Sequence, residues 1–210
     1  MGRSICVVLI RHGLTSFNKE KRYLGHKNLS LLAGEQSSLE PLKVMCAKMK
    51  VDQLYSSDLN RCLETSLILY PDQKPKPLPA LREYDFGDWE GKQYNDLAAL
   101  PHYQAWITNP SEVVPPNGEA FHDFTDRIEQ GFKEVLNEAS KNEYSTVVCV
   151  THGGVIRYLL STYAPNTKSF NEWSADIGKA YKLTGDIEDV RRGEPFSLLQ
   201  VVPSVEKTNG

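Results

Sequence analysis

Unbroken apolar runs alternate along this chain with stripes of helical period. Residues 4–10 (SICVVLI) are apolar without a break from Ile5 on rather than at every second position, the pattern of a strand buried on both faces of a parallel sheet. Residues 146–150 repeat it near the other end. Between them the spacing predicts a helix over 32–49, a short strand over 53–56, and a helix from Leu59 to about Tyr70 with Ser57 and Asp58 as N-cap side chains. Pro71, Pro75, Pro77 and Pro79 make an extended connector that includes a short edge strand. Phe121, Phe124, Ile128, Phe132, Val135 and Ala139 recur at helical period, so a long amphipathic helix should start at Asn117-Gly118-Glu119. A helix over 155–163 and strands over 178–183 and 196–202 follow, and the last few residues are expected to fray.

This alternation predicts an α/β fold, a three-layer sandwich with a mostly parallel central sheet and helices on both faces. The stretch 84–117 breaks the alternation. It is aromatic and acidic, and holds Pro101, Pro110, Pro115 and Pro116. We read it as a small helical lid over the carboxyl edge of the sheet, inside a single domain spanning 1–210.

Composition narrows the functional classes. With 210 residues, 40% hydrophobic and 24% charged, the chain can bury a full core. Its net charge is −3 and its Lys and Arg residues are scattered, so neither a nucleic-acid groove nor an anionic membrane surface is expected. No apolar stretch approaches the roughly 20 residues that cross a bilayer, and the apolar run 5–10 is too short for a secretory signal. Four cysteines (Cys6, Cys46, Cys62, Cys149) form no CxxC pair, and two lie inside apolar strands. They read as small buried hydrophobes in a reducing, cytoplasmic setting.

Both apolar strands run straight into a histidine, at Arg11-His12-Gly13 and at Thr151-His152-Gly153-Gly154. Strands of a parallel sheet open at their carboxyl ends, where ligands bind. Two such strands can therefore bring two imidazoles together. Arg11 and the glycines would let a guanidinium and the backbone approach an anion closely. Arg61 falls in the first turns of the helix after 53–56, and Glu83 follows the short segment 78–81. If those strands are parallel neighbours, all four residues meet on one edge. Singly, each would be read as structural or solvated. A metal held by His12, His152 and a carboxylate is disfavoured by the adjacent arginines and the lack of HxH or HExxH spacing.

Four segments in order, Arg11-His12-Gly13-Leu14-Thr15-Ser16-Phe17-Asn18, 56–65 (SSDLNRCLET), 81–91 (LREYDFGDWEG) and 151–155 (THGGV), resemble the motifs of the histidine phosphatase superfamily. Cofactor-dependent phosphoglycerate mutases and α-ribazole phosphatases are members. The resemblance implies a phosphoglycerate mutase-like fold and assigns His12 as the nucleophile that becomes phosphorylated. Arg11, Arg61 and His152 would hold the phosphoryl oxygens, with Asn18 as a further donor. Thr15, Gly25, His26 and Gly153 would border the substrate, and Glu83 would serve as general acid and then as base toward water. The departure at Leu14 falls at a variable position outside the chemistry, and those at Leu24, Asn28 and Ser30 in the loop that follows concern the pocket wall.

Chemistry agrees with these roles. A phosphomonoester dianion needs about two compensating charges, and two arginines supply them permanently. His152 beside that dianion would favour its charged form. His12 must instead be neutral, with one nitrogen free and the other fixed by a backbone carbonyl. Protonating the leaving oxygen contributes roughly 10²–10⁴ in rate. Residues 83–126 contain no arginine and only Lys92, few cations for a mutase that must grip a second phosphate and a carboxylate. A metal-independent phosphomonoesterase acting on a small phosphorylated metabolite, α-ribazole phosphate among the candidates, is therefore the leading expectation. Phosphoglycerate mutase is the alternative. A non-catalytic binder would have lost one of His12, Arg61, Glu83 or His152. No metal or other cofactor is required, and a homodimer is left open.

Overall fold

Successive residues of the two central strands feed opposite sides of the sheet. In the computed structural model, which describes residues 2–203, Ile5, Val7 and Leu9 enter one core cluster while Val8 and Ile10 enter the other. Val147 and Cys149 alternate with Val148 and Val150 in the same way. Strands filled on both faces are the physical counterpart of the unbroken apolar runs.

In chain order the elements are β1 (Ser4–Arg11), α1 (Ser16–Lys19), α2 (Glu35–Cys46), β2 (Gln53–Ser56), α3 (Asn60–Leu69), β3 (Lys76–Pro77), α4 (Tyr94–Leu97), α5 (Pro101–Thr108), α6 (Phe121–Lys141), β4 (Thr146–Thr151), α7 (Gly153–Tyr163), β5 (Ala180–Asp186), α8 (Ile187–Arg191) and β6 (Leu198–Val202). The strands form one sheet in the order β3-β2-β4-β1-β5-β6. Pairing is parallel from β3 to β1 and antiparallel for β1–β5 and β5–β6. Helices α6, α7 and α8 cover one face, and α2 and α3 cover the other. This is the α/β sandwich expected, with a mixed sheet in which β5 alone runs against the other strands.

Several boundaries differ from expectation, for local reasons. Helix α3 has Leu59 at its N-cap with no side-chain cap bond. The two expected caps are engaged elsewhere, Ser57 with His152 and Asp58 with Arg82. Helix α6 starts at Phe121 because Asn117 takes a left-handed turn and Glu119 is held by Arg127. Residues 79–81 form a single 3₁₀ turn rather than a strand, so β3 is only two residues long. Helix α2 is shorter than 32–49, starting after Gly34 in the left-handed region. Helix α7 starts two residues earlier than predicted, at Gly153. Helix α8 was not anticipated. Asp186 caps it by accepting the Glu188 and Asp189 N–H groups. The residues expected to fray at the C-terminus lie largely outside the described residues.

The stretch 84–117 is helical in short pieces. Trp89, Leu97 and Tyr103 form a small core of their own with Tyr23, Phe86 and Trp106 against them. Among the described residues no helix is long and apolar enough to cross a membrane.

Candidate active site

Register in the sheet places the two histidines together. Arg11 on β1 pairs with Thr151 on β4, and the His12 N–H donates to the Thr151 carbonyl at 2.9 Å. The next residue of each strand is the histidine, and the ring centroids lie 5.1 Å apart at 62°. Both side chains are buried.

His12 Nδ1 lies 2.7 Å from the Gly13 carbonyl. A carbonyl only accepts, so Nδ1 carries the proton and Nε2 presents its lone pair. Burial above all, then the charges of Arg61 and Arg11, pull the His12 pKa well below its usual value. His152 is lowered in the same way, by burial first and then by Arg61, His12 and Arg11. Both rings are therefore neutral in the free protein, and charging His152 would require the dianion itself. His152 Nε2 is hydrogen-bonded to Ser57 Oγ at 2.9 Å, with Cys62 Sγ 3.5 Å from the same nitrogen.

The guanidiniums are held but not used up. Arg61 is fully buried and donates to the Lys27 carbonyl at 2.8 Å and the Gly25 carbonyl at 2.6 Å. Arg11 donates to the Ala175 carbonyl at 2.8 Å. The Nε of each is buried without a partner among the described residues. Unspent donors on one buried and one half-buried cation are what an incoming oxyanion would complete.

Glu83 sits at the start of α7. Its carboxylate accepts the Gly154 N–H and the Tyr84 N–H, each at 2.9 Å. Gly154 makes this approach possible, since a Cβ there would overlap Glu83 Oε1. The Glu83 carbonyl is fixed by Arg127 at 2.8 Å and by His26 Nε2 at 3.0 Å. A cavity of about 600 Å³ opens from Glu83 and Gly154 between Tyr84, Phe86, Trp106 and Phe124.

The other predicted positions mostly support this centre. Gly25 orients Arg61 through its carbonyl, and His26 orients Glu83. A Cβ on Gly153 would touch the Arg11 guanidinium carbon at 3.4 Å, so the two stack closely. Thr15 is buried, donates its hydroxyl to Asn18 Oδ1 at 2.8 Å, and caps α1 by accepting the Asn18 N–H at 3.3 Å. That engages the amide oxygen of Asn18 and leaves Nδ2 as its donor. The glycines thus make room for side chains of the site itself, where the sequence reading had them approach the anion.

Sequence reasoning missed Ser57 and Cys62 against His152, Glu35 accepting the Leu14 N–H at 2.7 Å, and Arg127. Arg127 also donates to the carbonyls of Ala80 and Arg82 and pairs with both oxygens of Glu119. Nothing in its spacing on a polar helix face marks it. Glu90 and Glu64 accept backbone N–H groups of the site loops, His26 and Lys27 for Glu90 and Leu31 for Glu64. Among the described residues no three His, Cys, Asp or Glu side chains gather as a metal site would require.

Residues 7–182 match the model of the histidine phosphatase superfamily (branch 1). The chain belongs to this superfamily. Among its relatives, a phosphoglycerate mutase-like protein 4 of Arabidopsis thaliana is 32% identical over 77% of this chain and 72% of that protein. An adenosylcobalamin/α-ribazole phosphatase of Escherichia coli is 33% identical over 73% and 76%. A solved structure of an Escherichia coli protein assigned as an α-ribazole-5′-P phosphatase superposes with a TM-score of 0.80 at 25% identity, covering 95% of this chain and 96% of that one. This member of the superfamily is an enzyme, a phosphatase, and its mixed six-stranded sheet is the fold of its structural neighbours. The mutase alternative has no better support.

Proposed function

We propose that the enzyme hydrolyses small phosphomonoesters through a phosphohistidine at His12 Nε2. Arg11, Arg61 and His152 hold the phosphoryl oxygens, with Asn18 Nδ2 as a further donor. The Nε2 lone pair forms the N–P bond as the P–O bond to the leaving group breaks, and protonated Glu83 delivers its proton to the departing oxygen. Glu83 then takes a proton from water, the water oxygen bonds to phosphorus, and the N–P bond breaks to release inorganic phosphate and neutral His12. Phosphoryl transfer is otherwise positioning and charge stabilisation, and this constellation asks for no metal. The observation that carries the reading is the neutral His12 ring, its Nδ1 tied to the Gly13 carbonyl and its partner ring 5.1 Å away.

In the same reading residues 84–117 form a lid within one domain, closing over the leaving group. The α-ribazole phosphatases among the relatives support α-ribazole phosphate as a substrate to test. Four free cysteines support work in a reducing cytoplasm.

The experiment is a leaving-group series with wild type and Glu83→Gln, together with rapid quenching on ³²P-labelled substrate. The expected result is a loss of roughly 10²–10⁴ for alkyl phosphates and much less for 4-nitrophenyl phosphate. Acid-labile label should accumulate on His12. Label on another residue, or equal losses across the series, would overturn the assignment.

A further inference from the structure

The reaction just described leaves one half-buried cation without work. Arg157, on α7, is the one Lys or Arg in the lining of the cavity beside Glu83. Its Nε is buried without a partner among the described residues. Among the described residues the guanidinium is in no ion pair and on no aromatic face, unlike Arg127 over Phe124 and Lys168 over Trp173.

Position gives this cation a use. Gly154, whose N–H holds Glu83, and Arg157 are three residues apart on α7, so they share a helix face. Both line the cavity, as do Trp106, Phe121, Phe124 and Phe170, with Ser169 and Asn171 as polar neighbours. The leaving oxygen must meet Glu83, so the body of the leaving group extends into this space. Arg157 is also close enough to Arg11 to weaken its hold on a proton. An unpaired guanidinium beside another cation is unfavourable in an empty pocket and favourable once an anion arrives.

We propose that Arg157 is a specificity residue that binds a second anionic group, a carboxylate or similar oxyanion, on the leaving group. The enzyme then selects phosphomonoesters whose apolar or aromatic body spans the cavity from the phosphoryl group to that anion. This rests on the orientation set by Glu83 above. It differs from a mutase site, because a single cation on α7 is involved and the lid supplies no Lys or Arg to the cavity lining.

The test compares phenyl phosphate with 4-carboxyphenyl phosphate for wild type, Arg157→Met and Arg157→Lys. Arg157→Met should lower kcat/KM for the carboxylated ester about 10- to 100-fold, the range for a hydrogen bond to a charged group. Phenyl phosphate should stay within about threefold, and Arg157→Lys should recover part of the loss. Equal changes for both esters would overturn the proposal. Benzylphosphonate and 4-carboxybenzylphosphonate, titrated calorimetrically into wild type and Arg157→Met, give a readout independent of turnover. Tighter binding of the carboxylated phosphonate that vanishes in Arg157→Met supports the subsite, and equal binding rejects it. Absence of all turnover by wild type would instead sink the hydrolytic reading, with the phosphonate pair still deciding the subsite.

Discussion

The two ends of the active site are built from opposite materials. At the phosphate end, two buried histidines, the buried Arg61 and the half-buried Arg11 are held by sheet register and by bonds to backbone carbonyls. At the leaving-group end, aromatic side chains from short helical pieces meet mainly through ring contacts, such as Trp106 against Phe86, Trp89 and Tyr103. Directional bonds fix atoms to fractions of an ångström, as in-line transfer demands. Ring packing tolerates different shapes. The difference separates what reaction occurs from which molecule undergoes it.

The harshest way to test that division is to remove a cation from the phosphate end. Arg61→Met should lower kcat/KM at least about 10³-fold, toward the upper range for deleting one preorganised donor. It would also strand the Gly25 and Lys27 carbonyls, costing about 1–3 kcal/mol of stability in a chemical unfolding curve. The activity loss should be the same for every substrate. A loss that varied strongly with the leaving group would mean that Arg61 reads more than phosphate.

At the other end the expected effect is smaller and selective. Trp106→Ala should raise KM for aryl phosphates about tenfold, the worth of an aromatic contact of 1.5 kcal/mol or so. Turnover of glycerol phosphate, too small to reach the ring, should change little in steady-state assays. Equal damage to both substrates would show that the aromatic segment also shapes the phosphate end.

How much of each end was legible in the sequence follows from the same contrast. His12 and His152 could be read because a strand buried on both faces leaves an unbroken apolar run, and the histidine follows it directly. Arg61 and Glu83 came from ordered motifs. Ser57 was read as a helix cap and proved to bind His152, because local and long-range hydrogen bonds compete for one hydroxyl. Arg127 was invisible. It acts across 44 to 47 positions on the carbonyls of Glu83, Arg82 and Ala80, and no periodicity encodes a contact that distant. The reversal of β5 was equally hidden, since an apolar run has no direction. Arg157 stood in the sequence as an ordinary helical arginine until the cavity gave it a position.

The mildest probe leaves the chain unmutated and exploits the neutrality of the buried histidines. Both have pKa values lowered well below 6.5 in the folded state, with burial the main cause and Arg61 next. In the unfolded chain each titrates near 6.5, so below that pH the unfolded state binds more protons than the folded one. Stability from this source is therefore fully present above about pH 6.5 and is lost as pH falls toward the folded pKa values. Over the first unit below 6.5 each histidine costs about 1 kcal/mol, or about 2–4 °C in Tm for a chain of this size. His152→Asn should flatten the Tm slope between pH 6.5 and 5.5 by its share. Saturating orthovanadate should flatten it too, because an oxyanion between Arg11 and Arg61 offsets the charge that keeps His152 neutral. If the slope were the same with and without the oxyanion, the anion would be seated away from the histidines, and the phosphate end would lose its defining feature.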